Sequence, residues 1–360
     1  MGSRLRRLSS QRVQFERVSP RATTSRSDPC RMVVRVVTIV PVIDLDRPRP
    51  LVAADLDEVC RTVGFFQIVG HGVDDRTIKD AWDAIRAFFD LPLADRMSVA
   101  RAEDEYPYGY IPMAAETLSR SMGIETAPDL KEVFNIGPVD SPADISDAAK
   151  ALVYSPNLWP DALPELRESW ERYYRALLAL ADRLLSLMAE ALGLPSDYFV
   201  PMIDESPSAL RGLNYPHQAV VPRAGQIRAG AHTDYGMLTI LLQDDAPGGL
   251  EVLSPTTSHW VPVPSIHGAF VINVGDLLAR WTNDRWRSTL HRVVNPTPDA
   301  SGSTRRQSIA FFHNANYDAV VECLPTCVVP GVEPRYPPVI AGPHLIGKFH
   351  RSVYAEPKPS

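Results

Sequence analysis

Apolar positions recur along this chain with two different periods, and the change between them divides it. From Leu163 to Leu192, the residues Leu166, Trp170, Tyr173, Leu177, Leu180, Leu184, Leu187 and Ala191 fall every three or four positions, the spacing of one helix face. Gly193 and Pro195 follow and stop the helix. The apolar stripe is wide enough to pack on a sheet, which makes this helix a scaffold. From Leu210 to His313 the pattern changes to short strand-like runs: 213–215, 238–242, 250–253, 260–263, 269–274, 291–294 and 308–312. Gly248-Gly249, Gly275-Asp276 and Asn295-Pro296 mark turns between them. Short strands at this spacing predict a sandwich or jelly roll.

Ahead of the long helix the elements are mixed. Val36 to Leu45 is a β-branched run. Leu51, Ala54, Leu56 and Cys60 give a loose helical pattern that stops at Gly64, and Phe65 to Val69 reads as a short buried strand. Ile78, Trp82, Ile85 and Phe89 predict a second helix, ended by Pro92. Glu103 to Gly123 breaks into a loop holding Tyr106, Tyr108 and Tyr110, which either covers a pocket or packs its rings on the surface. The expected fold class is α+β with a mainly β core. Residues 36–160 form an N-terminal region, 161–206 the scaffold helix and linker, 207–318 the β core and 319–360 a C-terminal segment.

Residues 1–35 stand apart. Up to Arg31 there are eight arginines against Glu16 and Asp28 alone, with many serines and no apolar segment, which excludes a secretory signal. This stretch reads as a disordered tail or as the result of an upstream start, with Met32 the true beginning. A transit peptide is the compositional alternative.

Composition narrows the function classes. A net charge of −6 gives no reason to expect nucleic acid or a membrane surface, and no apolar stretch approaches the roughly 20 residues that span a bilayer. Thirty-three prolines, about twice ordinary usage, indicate many turns. Cys323 and Cys327 lack a second pair nearby, so a zinc site is not expected. Reduced thiols and a cytoplasmic location are the default reading. No phosphate-binding glycine motif and no internal repeat occur, and no obligatory protein partner is evident.

The candidate chemistry lies in Ala231-His232-Thr233-Asp234-Tyr235-Gly236. On a strand, residues two apart share a face, so His232 and Asp234 would aim together. A third ligand is available in Leu290-His291-Arg292-Val293-Val294, 57 residues beyond Asp234. Two histidines and a carboxylate on one side of an ion leave its other positions open, as a non-haem Fe(II) oxygenase requires. The remaining seven histidines lack a partner at strand spacing and read as structural or surface residues. Asp244-Asp245 reads as a solvated turn, while Trp281, Trp286 and Arg292 are expected to pack around the His291 strand.

Several further motifs occur together and in order: Val40-Pro41-Val42-Ile43-Asp44-Leu45, Gly64-Phe65-Phe66-Gln67-Ile68-Val69-Gly70-His71-Gly72-Val73, Leu213-Asn214-Tyr215-Pro216, Gly248-Gly249-Leu250-Glu251-Val252, Asn273-Val274-Gly275-Asp276, Thr282-Asn283, Ser288-Thr289-Leu290-His291-Arg292-Val293 and Arg306-Gln307-Ser308. With the His232–Asp234 stretch, they make the chain resemble the isopenicillin N synthase-like Fe(II)/2-oxoglutarate dioxygenases from about Val36 to Val353. The core of that family is a double-stranded β-helix, a form of jelly roll. Asn is usual in the family where Gly70 stands.

The resemblance implies that His232, Asp234 and His291 hold Fe(II). It implies that Arg306 and Ser308, the family's Arg-x-Ser element, grip the far carboxylate of 2-oxoglutarate. A planar guanidinium beside a hydroxyl suits a carboxylate. Tyr215 matches the tyrosine just before proline in the family's Asn-Tyr-Tyr-Pro element. That element is one tyrosine shorter here, so Asn214 and Tyr215 are both candidates. Strand alternation places Ala310 and Phe312 on the face of Arg306. Phe312, Tyr108, Tyr110 and the stretch 336–353 are the expected substrate contacts. The implied reaction oxidises, by hydroxylation, a small specialised metabolite with O2, releasing succinate and CO2. Two alternatives stay open: a 2-oxoglutarate-independent Fe(II) oxidase that closes a ring or desaturates, and a non-catalytic jelly-roll module that binds a metal or ligand.

Overall fold

A computed structural model describes residues 40–101, 106–142, 145, 147–328 and 330–353. The expected tail at 1–35 lies outside them. Chain order runs β1 (Val42–Asp44), α1 (Arg49–Thr62), β2 (Phe65–Val69), α2 (Asp75–Asp90), α3 (Leu93–Met97), β3 (Gly109–Ile111), β4 (Glu132–Ile136), α4 (Ala148–Val153) and α5 (Glu165–Ala191). The β-rich half follows with β5 (Ala209–Tyr215), β6 (Ala229–His232), β7 (Leu238–Gln243), β8 (Gly249–Leu253), β9 (Trp260–Pro262), β10 (Phe270–Val274), α6 (Asp276–Trp281), β11 (His291–Val294) and β12 (Arg306–His313). A two-strand pair, β13 (Val320–Val321) and β14 (Val339–Ile340), leads to the last helix, α7 (Ala341–Val353).

The strands form a large leaf, β1-β2-β10-β7-β12-β5-β4-β3, and a small leaf, β6-β11-β8-β9. Within the large leaf every pairing is antiparallel except that of β1 with β2. Alternation divides its residues between two faces. Phe66, Ile68, Phe134, Ile136, Leu210, Ile240, Ile272, Ile309 and Phe311 point to the helical side and share one core with α1, α2 and α5. The positions between them, including Arg211, Leu213, Tyr215, Thr239, Leu241, Arg306, Ser308, Ala310 and Phe312, line a cavity.

The long helix does what its periodicity predicts. Leu166, Trp170, Tyr173, Leu177, Leu180, Leu184 and Leu187 are all buried. Trp170 reaches across to α2, where its indole N–H donates to the Ala81 carbonyl at 3.1 Å. Beneath it β5 carries Gly212, where a Cβ would come within 2.5 Å of Ile85 Cγ1 and 3.0 Å of Trp170. The glycine lets helix and sheet approach closely, and Trp170→Ala would cost about 3–5 kcal/mol through the void it leaves. At the start of α2, Asp74 caps by accepting from Thr77 N–H at 2.9 Å.

Two expectations change here. The tyrosine stretch is not all loop, because Gly109–Ile111 forms an edge strand against β4. The C-terminal segment, to which no element was assigned, gains one. Ala341–Val353 is a helix that packs on the short 3-10 helix Leu118–Met122.

Candidate active site

His232 and His291 are direct cross-strand partners of β6 and β11. That register brings the two rings together, with centroids 4.2 Å apart. His232 is the last residue of β6. Asp234 is therefore not on a strand, as alternation had suggested; it lies in the turn that carries the chain from the small leaf to β7 of the large one. Convergence survives because Asp234 Oδ1 stands 3.7 Å from His232 Nε2 and 3.6 Å from His291 Nε2. One ligand atom from each of the three residues lies within 4.8 Å of the others.

Neighbouring groups leave these donor atoms available. His232 Nδ1 lies 2.7 Å from the Gly230 carbonyl, and His291 Nδ1 lies 3.2 Å from the Thr289 carbonyl. A carbonyl only accepts, so each Nδ1 carries a proton and each Nε2 is the ring nitrogen turned to the shared point, where it can serve as a metal donor. Burial, then the neighbouring His291, pushes His232 down to about 4, which keeps it neutral at physiological pH. Asp234 Oδ2 accepts from Thr239 Oγ1 at 2.6 Å and from Asn273 Nδ2 at 2.7 Å. Burial opposes ionisation of Asp234, but the two imidazoles and these hydrogen bonds outweigh it and hold the carboxyl below its usual range. Neutral imidazoles and an ionised carboxylate are the donor set that a divalent iron takes, with positions left open.

The second polar feature is on the large leaf. Arg306 and Tyr215 are cross-strand partners, and the guanidinium carbon lies 5.1 Å from the Tyr215 ring centre. Arg306 is buried. It donates to Gln243 Oε1 at 2.8 Å and to Ser308 Oγ at 3.4 Å, and its Nε is 3.9 Å from Asp244 Oδ1. Asp244 is thus not the solvated turn residue expected. Its Oδ2 accepts from Gln307 N–H at 2.7 Å and fixes the start of β12. Arg228 is also buried, with its guanidinium carbon 5.8 Å from the centre of the Tyr215 ring.

The two features face one cavity of about 250 Å³ whose walls include His232, Asp234, His291, Tyr215, Arg306, Ser308, Phe312 and Tyr108. Asn214 does not join them. As the even-numbered neighbour of Tyr215 it points to the opposite face, where it donates to Glu132 Oε1 at 2.7 Å and accepts from Arg305 Nε at 2.8 Å. Nor does Tyr110. Gly109, at φ +100°, breaks the alternation that would have kept Tyr110 beside Tyr108. The Tyr110 ring packs instead on Phe88 in the helical core, with its hydroxyl on Glu132.

Leu345, Ile346 and Phe349 of α7, within the expected stretch 336–353, also border the cavity. Thr239, Asn273, Glu116, Asn135 and Arg211 border it too and carried no such expectation. A count of two residues back from Leu213 along β5 would have found Arg211. Glu116 and Asn135 leave no local signal. Glu116 Oε2 accepts from Arg211 Nη1 at 3.3 Å and lies 3.5 Å from Lys131 Nζ, which itself donates to Asp129 Oδ2 at 2.8 Å. Burial works against the Glu116 charge, but Arg211, Lys131 and Arg101 hold its carboxyl below the usual range. Helix α7 is tied down by Lys348, which donates to Asp276 Oδ2 at 2.8 Å.

Comparison with known proteins agrees with this geometry. Residues 40–162 match the family model described as the non-haem dioxygenase in morphine synthesis N-terminal domain, and residues 207–315 match the 2OG-Fe(II) oxygenase superfamily. The chain is 35% identical over 302 residues to the 2-oxoglutarate-Fe(II) type oxidoreductase hxnY of Emericella nidulans, covering 82% of this chain and 83% of that one. It is 34% identical over 297 residues to homoarginine-6-hydroxylase 2-ODD-233 of Oryza sativa subsp. japonica, covering 81% and 87%. A full-length Neurospora crassa protein, solved as a crystal structure in complex with alpha-KG and thymine, superposes with a TM-score of 0.74 at 30% identity, over 86% of this chain and 96% of that one. No helix among the described residues is long and apolar enough to cross a membrane. With the Fe(II)-type donor triad in one cavity and both halves of the chain matched, the protein belongs to the isopenicillin N synthase-like family of 2-oxoglutarate- and Fe(II)-dependent dioxygenases.

Proposed function

We propose that this dioxygenase hydroxylates a small-molecule metabolite, with His232, Asp234 and His291 holding the iron and Arg306, Ser308 and Tyr215 holding the far carboxylate of 2-oxoglutarate. The observation that carries the reading is the shared cavity: three available donor atoms on one side, and a buried, pre-oriented guanidinium among its other walls. Iron with 2-oxoglutarate and O2 supplies the oxidising power. The protein's own residues supply placement. Thr239 and Asn273 fix the Asp234 carboxylate, leaving Oδ1 toward the imidazoles. Gln243 holds the Arg306 fork beside Ser308, so a carboxylate meets donors that need no reorganisation. Apolar side chains, including Leu241, Leu250, Val293 and Phe312, exclude water around them.

Relatives support a small-molecule substrate. The Neurospora crassa structure holds thymine, another similar structure, JOX2, holds JA, and a further relative is named validamycin A dioxygenase. The test is succinate formation under air with Fe(II). Turnover should depend strictly on added 2-oxoglutarate, and Asp234→Ala should abolish it. Full turnover by that variant, or turnover without 2-oxoglutarate, refutes the assignment.

A further inference from the structure

The wall formed by β4 and β5 carries a polar group that neither metal binding nor 2-oxoglutarate binding uses. Asn135 and Arg211 are cross-strand partners in the row that includes Ala310. Arg211 is four residues along β5 from Tyr215, about 13 Å at the usual strand rise, too distant to share the carboxylate assigned to Arg306. Arg211 Nε donates to Asn135 Oδ1 at 2.7 Å. Because a guanidinium only donates, this contact fixes the Asn135 amide and leaves its Nδ2 as the free donor. Asn135 is only 3% exposed, and that Nδ2 has no hydrogen-bond partner. A buried, unpaired N–H is costly, and here it belongs to a residue of the cavity wall. Arg211 donates from Nε to Asn135 and from Nη1 to Glu116, and its Nη2 has no hydrogen bond among the described residues.

We propose that Arg211 and Asn135 form a substrate-recognition subsite for a neutral acceptor group, a ketone, lactam or imide carbonyl, on an otherwise apolar molecule. The inference rests on the dioxygenase reading of the same cavity. Charge decides between carbonyl and carboxylate. The Arg211 guanidinium already faces Glu116, and Lys131 behind it already faces Asp129. An incoming carboxylate would therefore meet the Glu116 charge as well as the guanidinium, whereas a carbonyl takes both free N–H groups with no charge to offset. A cationic amine would face two donors and nothing to accept from it but the occupied Glu116. The surrounding wall, Leu118, Leu213, Phe312 and the α7 residues Leu345, Ile346 and Phe349, calls for apolar bulk elsewhere on the molecule.

The experiment titrates the full-length protein with a matched panel: cyclic lactams, imides (thymine among them) and ketones, set against the corresponding carboxylates, primary amines and hydrocarbons. Ligand-induced Tm shift reports binding. The wild-type visible absorption band on anaerobic addition of Fe(II) and 2-oxoglutarate tests the dioxygenase reading by itself, so the two can fail separately. The expected result is that the binders are neutral carbonyl compounds, and that they bind at least tenfold more weakly to Asn135→Leu and to Arg211→Lys, which keeps the charge beside Glu116 but loses the fork. Binders confined to amines, carboxylates or hydrocarbons overturn the proposal, as does a panel with no binder. Carbonyl compounds that bind both variants as tightly as wild type overturn it too, since Arg211 and Asn135 would then only brace the sheet.

Discussion

Asn273→Ala should weaken iron binding without touching a ligand. Asn273 sits near the end of β10, an interior strand of the large leaf, and gives Asp234 one of the two hydrogen bonds on Oδ2, at 2.7 Å, with Thr239 giving the other at 2.6 Å. A hydrogen bond to an ionised group contributes about 1.5–3 kcal/mol. Partners that orient a metal ligand typically change metal affinity by about 10–100-fold when removed, which converts to about 1.4–2.7 kcal/mol. The two estimates agree, so the variant should lose roughly tenfold to a hundredfold in Fe(II) affinity. Thr239→Val should fall in the same range, and the double variant should lose more than either single one. Anaerobic competition titration against a metal-sensitive dye measures the affinity, with the melting transition as a control for folding. An Asn273→Ala protein that melts cooperatively and binds Fe(II) within threefold of wild type would refute the reasoning, because the carboxylate would then be oriented without that donor.

Three other outcomes follow from the same structure. On the proposed reading, Arg306→Ala leaves the far carboxylate of 2-oxoglutarate without its buried partner, a loss of about 2–5 kcal/mol, so the Kd for 2-oxoglutarate should rise about 30-fold or more by charge-transfer titration; a rise under threefold places the carboxylate elsewhere. Lys348→Ala cuts the tie between α7 and Asp276, a partly exposed pair worth about 0.5–1 kcal/mol; KM for the substrate should rise a few-fold while kcat holds, and high salt should produce part of the same change in wild type. His313 sets an acid limb. Ser206 donates to the Asn314 carbonyl at 2.6 Å, so Ser208 donates to Ser206 and accepts from His313 Nδ1 at 3.0 Å, while the bare Nε2 has no partner. Burial pushes this imidazole down to about 4. The unfolded chain therefore binds a proton that the folded one refuses, and stability falls as pH drops from about 6.5 to about 4, by about 3 kcal/mol. His313→Asn should flatten the Tm-against-pH slope in that window, and an unchanged slope would show that another group is responsible.

The legible parts of this chain are those where one local period decides the outcome. The α5 stripe and the strand runs of the β half appear where the apolar spacing puts them, because both faces or one broad face are buried. The ligand positions were legible too, although the register of β6 with β11 rather than alternation along one strand brings His232 to His291. Asn214 was misplaced because two adjacent candidates look alike in sequence, and only the pleat separates them. Tyr110 was misplaced because a single glycine with positive φ resets the facing of the residues that follow it. Helix α7 stayed hidden because Gly342 and Pro343 open it, and both argue against a helix locally. The Glu116–Arg211–Asn135 group could not be read at all: its members are distant in sequence, and only the sheet order β4-β5 makes them neighbours.

The Asp234 carboxylate serves the two leaves separately. One oxygen is fastened to side chains of the large sheet, and the other faces imidazoles mounted on the small sheet. An ion seated there acts as a rivet through the sandwich. Its hold is a gauge of how far apart the halves stand, and any lesion that lets them spread, however remote, would register first as leakage of iron while most of the scaffold is still intact.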